Sequence, residues 1–264
     1  MTAMPKPRLH HEFYGDRGPF LLLVHGMLSS RAQWMLNIDA LSEFSRPVVV
    51  ELFGHGRSPT PDEPEAYSPE RYMAEFEAIR RLLDVERWLI CGQSLGAALT
   101  LRYSLDYSDQ VIAQAFTNSN SALADEAWRE RVVPLMTAQA RHLRQVGRKA
   151  LEGHPLNPAR GKRLPAAARA LLVADYALHT PEGIAATGLY TVPDSSVRDR
   201  APAISVPTLL VAGERETGFA EARTFAERTI PRIKVVRLDA GHAVNLEAAD
   251  EFNEAVTAFF ARHS

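Results

Sequence analysis

A serine between two glycines is the residue pattern in this chain most suited to chemistry. In the stretch CGQSLG, Ser94 has Gly92 two positions before it and Gly96 two positions after it, between an apolar run and a helical pattern. Glycine at both positions lets a strand and a helix approach closely, while the serine takes a strained conformation on the turn between them. A hydroxyl displayed in this way is a candidate nucleophile, and a plain turn is the alternative.

A serine hydroxyl is a weak nucleophile on its own, so Ser94 needs a base within hydrogen-bond reach and an acid that orients the base. We predict that the base is His242, because AGHAVNLE places it between the last strand-like run and a C-terminal helical pattern. His25 and His55 also follow strand-like runs, but each lies inside a glycine turn, which favours a structural role. The remaining histidines lack such a context: His10, His11, His142, His154, His179 and His263.

The orienting acid is expected after the preceding strand-like run, VPTLLVAG, where Glu214 and Glu216 follow. Glu216 is the preferred candidate because the loop can turn back toward His242 from there, whereas Glu214 adjoins the glycine that makes the turn. Asp239, beside the final turn, is a further alternative. Asn118, which follows another strand-like run, occupies a suitable place but is uncharged.

Attack on a carbonyl also requires hydrogen-bond donors for the oxyanion that develops. The loop VHGMLSS follows the first strand-like run, and its turn lets the backbone N–H of Met27 point into the site. The backbone N–H of Leu95, directly after the candidate nucleophile, is the second predicted donor. Both predictions depend on Ser94, because backbone donors leave no side-chain signature, and a loop that only links two elements is the alternative.

The elements that must position these residues are short apolar runs that alternate with helical patterns. The strand-like runs are FLLLVHG, RPVVVELFG, RWLICG, VIAQAFTN, VPTLLVAG and IKVVRLDAGH. Their near-continuous hydrophobicity is typical of a parallel sheet covered on both faces. Helical periodicity covers residues 31–43, 69–84, 95–107, 219–229 and 247–262. The alternation predicts an α/β fold with a mostly parallel central sheet and helices on both faces.

The alternation breaks between residues 121 and 200, where no comparable strand-like run occurs. We predict that residues 121–200 form a helical cap, inserted into a core domain made of residues 1–120 and 201–264. Prolines disrupt helix interiors and are expected to divide the cap into several helices. These prolines are Pro134, Pro155, Pro158, Pro165 and Pro181.

The cap is locally basic between Asp125 and Arg169. Such a charge excess is compatible with an anionic substrate, such as a carboxylate, a phosphate or a coenzyme A thioester. A solvated helix face is the simpler interpretation of the same pattern.

Composition limits the class of protein. The chain has 264 residues, 46% of them hydrophobic and 23% charged, which is enough for a sizeable core in a soluble, globular protein. The net charge of -2 gives no general attraction to nucleic acid or to an anionic membrane, so neither is an expected partner. The single Cys91 and the absence of a visible export signal near the N-terminus favour a cytoplasmic location. The oligomeric state is left open.

These motifs together resemble the α/β-hydrolase superfamily, in its branch of small serine-nucleophile esterases, lactonases and C–C bond hydrolases with a helical cap. In chain order, VHGMLSS is similar to the oxyanion loop, ELFGHGRS to a glycine turn, GQSLGA to the nucleophile elbow, VAGERE to the acid loop and AGHAVNLE to the histidine loop. Two positions depart from the family pattern, since Glu216 and Glu51 stand where aspartate is usual.

The resemblance implies a serine hydrolase that cleaves a carboxylic ester of a small acyl substrate through a covalent acyl-enzyme, without a metal or organic cofactor. Ser94 would attack, His242 would shuttle the proton and Glu216 would orient the imidazole. A lactonase, a thioesterase or a C–C bond hydrolase would use the same residues. A ligand-binding or receptor protein that keeps this fold is an alternative of another class.

Overall fold

A seven-stranded sheet forms the centre of the protein, whose computed structural model describes residues 8–263. In chain order the strands are β1 (His11–Phe13), β2 (Phe20–Val24), β3 (Arg46–Val50), β4 (Trp88–Gly92), β5 (Val111–Thr117), β6 (Thr208–Gly213) and β7 (Lys234–Leu238). Their order in the sheet is β1-β3-β2-β4-β5-β6-β7. Among the strands of residues 8–263, only β1 runs antiparallel to its neighbour, so the predicted mostly parallel α/β sheet is confirmed.

Ten α-helices accompany the sheet within the described residues. They are α1 (Ile38–Ser42), α2 (Pro69–Leu82), α3 (Leu95–Asp106), α4 (Glu126–Val146), α5 (Arg148–Glu152), α6 (Ala166–Tyr176), α7 (Pro181–Ala186), α8 (Ala220–Thr229), α9 (Val244–Glu247) and α10 (Ala249–Phe260). The shorter turns are 3-10 helices at Arg31–Trp34, Pro64–Tyr67, Ser108–Gln110, Pro158–Arg160, Arg198–Ala203 and Thr217–Phe219, and a π-helical turn at Thr187–Thr191. No helix within residues 8–263 has both the length and the apolar character needed to cross a bilayer.

Alternate residues of each strand pack on opposite faces of the sheet. On β2, Leu22 and Val24 belong to one apolar core, whereas Leu21 and Leu23 belong to another. The first core contains residues of α2 and α3, and the second contains residues of α1 and α10. Helices therefore cover both faces, which explains why the strand sequences are apolar at nearly every position.

Two predicted helical spans differ from the structure. The pattern over residues 31–43 divides into a 3-10 turn and α1, and the pattern over residues 247–262 corresponds to the end of α9 and to α10. Buried Asn37 precedes α1, and its amide donates a hydrogen bond of 2.8 Å to the side-chain oxygen of Asn253 in α10. This contact between residues distant in the sequence holds the chain at the break before α1, and helical periodicity alone does not reveal it.

The chain between β5 and β6 holds α4 to α7. Residues 118–207 are all described by the structure and contain no strand. The division at residues 121 and 200 into a core and a cap remains a prediction, and residues 1–7 and Ser264 of the predicted core lie outside the described residues.

The prediction that Pro134 ends a helix is wrong, because α4 continues through it. Proline removes one hydrogen bond from the helix interior. Pro134 lies on the exposed side of α4, while Ala140 and Leu143 on the same helix are buried, so packing elsewhere holds the helix together. The other four prolines named in the sequence analysis, Pro155, Pro158, Pro165 and Pro181, lie between helices or at a first helical position, as expected.

Candidate active site

Ser94 lies on the turn that joins β4 to α3, with φ of 55° and ψ of -118°. A positive φ is strained for a residue with a side chain, and the surrounding backbone holds it. A Cβ atom at Gly92 would lie 2.3 Å from the carbonyl oxygen of Gly96, and one at Gly96 would lie 2.1 Å from that of Val24. Only glycine permits this approach of strand and helix, which is the geometry that the glycine spacing predicts.

Three side chains form a continuous chain of hydrogen bonds at the carboxyl edge of the sheet. Ser94 Oγ lies 2.9 Å from His242 Nε2, and His242 Nδ1 lies 2.9 Å and 3.0 Å from the two carboxylate oxygens of Glu216. An ionised carboxylate only accepts hydrogen bonds, so Nδ1 carries the proton. The lone pair of Nε2 then faces the serine hydroxyl, as a general base requires.

Two asparagines that sequence analysis did not assign to the site hold the carboxylate of Glu216. Asn118 Nδ2 donates to Glu216 Oε2 at 2.8 Å, and Asn120 Nδ2 donates to Oε1 at 3.3 Å. Asn118 also exchanges two hydrogen bonds of 2.9 Å with the backbone of Gly213, at the end of β6. The signal that points to Asn118 is a polar residue directly after a buried strand that neighbours β6 in the sheet.

The pKa of the Glu216 carboxyl lies below its ordinary value. Burial raises this pKa. The hydrogen bond and charge of His242, together with the hydrogen bonds from Asn118 and Asn120, lower it by more than burial raises it. Glu216 therefore stays ionised at neutral pH and acts as a fixed acceptor for the imidazole.

Of the three candidate orienting acids, all within the described residues, Glu216 is the one whose carboxylate reaches His242. Asp239 is paired with Arg215, with Nε to Oδ1 at 2.6 Å. Glu214 lies 3.7 Å from the guanidinium of Arg223. Both of these acids are therefore paired with an arginine.

The loop after β2 passes directly beside Ser94. A Cβ atom at Gly26 would lie 2.7 Å from Ser94 Cβ, so this glycine is required by close contact. Met27 follows and lines the same cleft as Ser94, while Leu95 occupies the first position of α3, where an N–H has no partner within the helix. Both backbone donors are compatible with an oxyanion site, and their role remains a prediction.

Three buried histidines support the loops around the site. Each accepts a hydrogen bond from a backbone N–H: His25 Nε2 from Leu52 at 3.0 Å, His55 Nε2 from Leu28 at 3.0 Å, and His179 Nδ1 from Gly56 at 2.9 Å. Burial lowers the pKa of all three imidazoles to about 3, so they are neutral at physiological pH. The structural role expected for His25 and His55 thus extends to His179, which the sequence did not single out.

A buried carboxylate connects α6 to the loop after β2. Asp175 accepts a hydrogen bond of 2.8 Å from Ser30 Oγ and pairs with Arg57 Nη2 at 2.8 Å. Burial raises the pKa of Asp175, but hydrogen bonds from Arg57 and Ser30 and the nearby positive charges hold it below its ordinary value. Glu51, the second departure from the family pattern, is fully buried and pairs with Arg57 Nη1 at 3.1 Å.

A cleft of about 660 Å³ opens beside Ser94. The His242 side chain lines this cleft and is 45% exposed, so its imidazole is accessible from it. The residues before β5 and after β6 that line the cleft are Met27, Leu28, Ser29, Gln33, Gln93, Ser94, His242, Ala243 and Glu247. The residues between β5 and β6 contribute Pro155, Leu156, Asn157, Pro158, Arg160, Gly161, Lys162, Arg163, Leu164 and Leu172.

The sequence of this chain is similar to that of a known protein family and of individual known proteins. Residues 19–249 match the sequence model of a family described by the alpha/beta hydrolase fold. A Bacillus subtilis (strain 168) protein, provisionally named 2-succinyl-6-hydroxy-2,4-cyclohexadiene-1-carboxylate synthase, is 25% identical over 256 residues and covers 92% of each chain.

Solved structures of similar shape include the enol-lactonase from Burkholderia xenovorans LB400, with a TM-score of 0.81, 23% identity and coverage of 96% of both chains. MenH from S. aureus has a TM-score of 0.85 and 20% identity, covering 96% of this chain and 98% of that one. At such identities the likeness indicates a common fold.

Proposed function

This chain belongs to the α/β-hydrolase family, and we propose that it is a serine hydrolase that cleaves a carboxylic ester of a small molecule through a covalent acyl-enzyme. The observation that carries the proposal is the unbroken hydrogen-bond chain from Ser94 through His242 to Glu216, at the floor of an open cleft. This arrangement supplies the nucleophile, the base and the orienting acid of acyl transfer.

In the first half of the reaction, Ser94 Oγ attacks the carbonyl carbon of the ester while His242 Nε2 takes the hydroxyl proton. The negative charge that develops on the carbonyl oxygen is stabilised by the backbone N–H groups of Met27 and Leu95. The tetrahedral intermediate then collapses, and the C–O bond to the alcohol breaks. The alcohol leaves with the proton from His242, and the acyl group remains on Ser94.

In the second half, a water molecule takes the place of the alcohol. His242 Nε2 removes one proton from the water as its oxygen attacks the acyl carbon, and then returns that proton to Ser94 Oγ as the acyl bond breaks. The products are a carboxylic acid and the free serine. Glu216 remains ionised throughout and stabilises the imidazolium form of His242 in both halves.

The same three side chains would open a lactone or cleave a thioester or an activated C–C bond, because each reaction passes through nucleophilic attack on a carbonyl. The B. subtilis relative carries the name of a synthase, and a structural neighbour that of a lactonase. Substrate choice therefore depends on the cleft. A ligand-binding protein is disfavoured, because binding alone requires neither a strained serine nor a base aimed at its hydroxyl.

Labelling with a fluorophosphonate probe, followed by mass spectrometry, tests the proposal. We expect an adduct on Ser94 and turnover of short aryl esters, both lost in Ser94→Ala with unchanged circular dichroism. Ser29→Ala is the matched control, since Ser29 lines the same cleft but donates its hydroxyl to Gln33 Oε1 at 2.9 Å. Full turnover in Ser94→Ala, or a well-folded protein that neither labels nor turns over esters, would contradict the proposal.

A further inference from the structure

Three basic residues in a stretch of the cap line the cleft that contains Ser94. They are Arg160, Lys162 and Arg163. The position of Arg163 is defined by its contact with Glu247, with Nε to Oε2 at 3.8 Å. Glu247 Oε2 in turn accepts a hydrogen bond of 3.0 Å from the backbone N–H of Gly241, the residue before His242. This basic stretch therefore reaches the edge of the cleft at which the imidazole lies.

The positive charge of the stretch is only partly balanced. Among the described residues that line the cleft, Glu247 is the sole carboxylate, and Arg163 is its neighbour. Within residues 8–263, no carboxylate lies within ion-pair distance of Arg160 or Lys162. Unpaired cations in a concave, partly apolar site attract anions more strongly than cations on an open surface, because field lines are focused there.

Apolar side chains share the same cleft. Leu156, Leu164 and Leu172 of the cap and Met27 of the core contribute to the lining. A ligand that fills the cleft would therefore contact a reactive serine, apolar side chains and cationic side chains. This combination of chemistries corresponds to an ester that carries both an apolar part and a negative charge.

The donors of the stretch favour a carboxylate over a phosphate. Phosphate sites commonly add free backbone N–H groups to the side-chain cations. Here the N–H of Arg160 donates to the carbonyl of Asn157 at 2.9 Å, and that of Gly161 donates to the carbonyl of Pro158 at 2.9 Å. These two N–H groups are therefore occupied, so Arg160 meets an anion through its side chain, which suits a monovalent anion.

We propose that Arg160 and Lys162 form a subsite that binds a carboxylate of the substrate, separate from the ester carbonyl that Ser94 attacks. The proposal rests on the proposed hydrolase function for the reaction itself, and the binding of the carboxylate is testable without turnover. The natural substrate is then an ester of a small molecule that also carries a free acid group.

Two pairs of esters test the subsite. 4-Nitrophenyl hexanoate and mono-4-nitrophenyl adipate have acyl chains of equal length, and only the adipate ends in a carboxylate. Methyl 4-acetoxybenzoate and 4-acetoxybenzoate carry the same difference on the alcohol part. For each pair, the ratio of kcat/KM for the charged ester to that for the neutral ester is compared between variants, so that intrinsic reactivity cancels.

In Arg160→Gln/Lys162→Gln, we expect this ratio to fall about fivefold to tenfold for at least one pair, and rising salt to lower it in the wild type. Arg144→Gln/Lys149→Gln is the matched control, since both residues are exposed cap cations outside the cleft and should leave the ratio unchanged. A ratio that is the same in the wild type and the cleft variant for both pairs would overturn the subsite.

Equilibrium binding of the same esters to Ser94→Ala separates the subsite from the chemistry. Tighter binding of the charged ester, lost with Arg160 and Lys162, supports the subsite even if the wild type hydrolyses no ester, a result that would reject the hydrolase proposal alone. Competition against the neutral ester distinguishes the anions. Stronger inhibition by hexyl phosphate than by hexanoate, dependent on the same two cations, would overturn the choice of a carboxylate.

Discussion

The imidazole of His55 accepts a hydrogen bond from the backbone N–H of Leu28, with 3.0 Å between the two nitrogens. Leu28 has a positive φ of 60°, a strained conformation for leucine. The next residue toward the N-terminus is Met27, whose N–H is the proposed oxyanion donor. A buried histidine on the turn after β3 thereby holds the strained loop that carries this proposed donor.

Replacement of His55 is expected to lower kcat more than it changes KM. His55→Leu removes the acceptor and releases Leu28, and loss of one oxyanion donor typically costs about 10² to 10³ in rate. The amide oxygen of His55→Gln can occupy the position of Nε2, so this variant should recover part of kcat. Steady-state kinetics on an aryl ester, with thermal unfolding as the check on folding, measure the effect. Equal kcat in the two variants would show that His55 only fills space.

Glu216→Gln is expected to lower kcat by orders of magnitude with a smaller change in KM. The corresponding aspartate-to-asparagine change in a serine-protease triad costs about 10⁴ in kcat, because the imidazole is left in the wrong tautomer. Glu216→Asp should keep part of the rate if the loop closes the missing methylene.

Asp239→Asn and Glu214→Gln are the controls for this prediction. Their carboxylates pair with arginines, whereas His242 bonds to Glu216, so kcat should stay near that of the wild type. Near-normal kcat in Glu216→Gln, with a collapse in either control, would transfer the orienting role to that residue.

The buried histidines predict a loss of stability in mild acid. His25, His55 and His179 have folded-state pKa values of about 3 against an ordinary 6.5, so the unfolded chain binds protons that the folded chain does not. Their contribution to stability is complete above pH 6.5 and declines as the pH falls toward 3. In this range the free energy of unfolding changes by about 1.4 kcal/mol per pH unit for each group. Urea unfolding between about pH 6 and pH 5, where most carboxylates remain ionised, measures it.

His55→Gln should reduce that slope by the share of one group, because glutamine does not titrate. His142→Gln is the control, since His142 is exposed on α4. An unchanged pH dependence in His55→Gln would show that this imidazole is protonated in the folded state.

Gly96→Ala is expected to prevent folding or to destabilise the protein by more than about 3 kcal/mol. The added Cβ would lie 2.1 Å from a backbone oxygen of β2, which has no room to move within the sheet. Gly218→Ala is the matched control, because no atom lies within 4 Å of the corresponding position. Denaturant unfolding of the two variants tests the difference, and equal stabilities would contradict the close approach of β2 and α3.

The strands and the site residues are the parts of this protein that follow most directly from its sequence. Six apolar runs predicted β2 to β7, because buried parallel strands are apolar on both faces. β1 was not predicted, since it has only three residues and pairs at the sheet edge without an apolar run. Its existence depends on antiparallel pairing with β3, a contact between distant parts of the chain.

The residues that support Ser94, His242 and Glu216 are harder to predict from the sequence than these three residues themselves. In the sequence, Asn118 is only an uncharged residue at a place suited to an acid, because its hydrogen bond to Glu216 requires the adjacency of β5 and β6. His179 lies far along the chain from Gly56, and only folding brings the two together. A candidate nucleophile can be recognised from the residues next to it in the sequence. The residues that support it come from distant parts of the chain and become visible only in the folded structure.

The contacts that attach the end of α6 and the start of α7 to the loops after β2 and β3 bear on how the substrate range of the protein could be altered. Asp175 is bonded to Ser30 and Arg57, His179 accepts from Gly56, and the N–H of Thr180 donates to the carbonyl of Gly54 at 3.0 Å. These attachments all fall outside residues 155–164, which supply most of the cap lining of the cleft. We therefore expect that loop grafting can exchange this segment as a module, while the loops that hold Ser94 and Met27 keep these contacts.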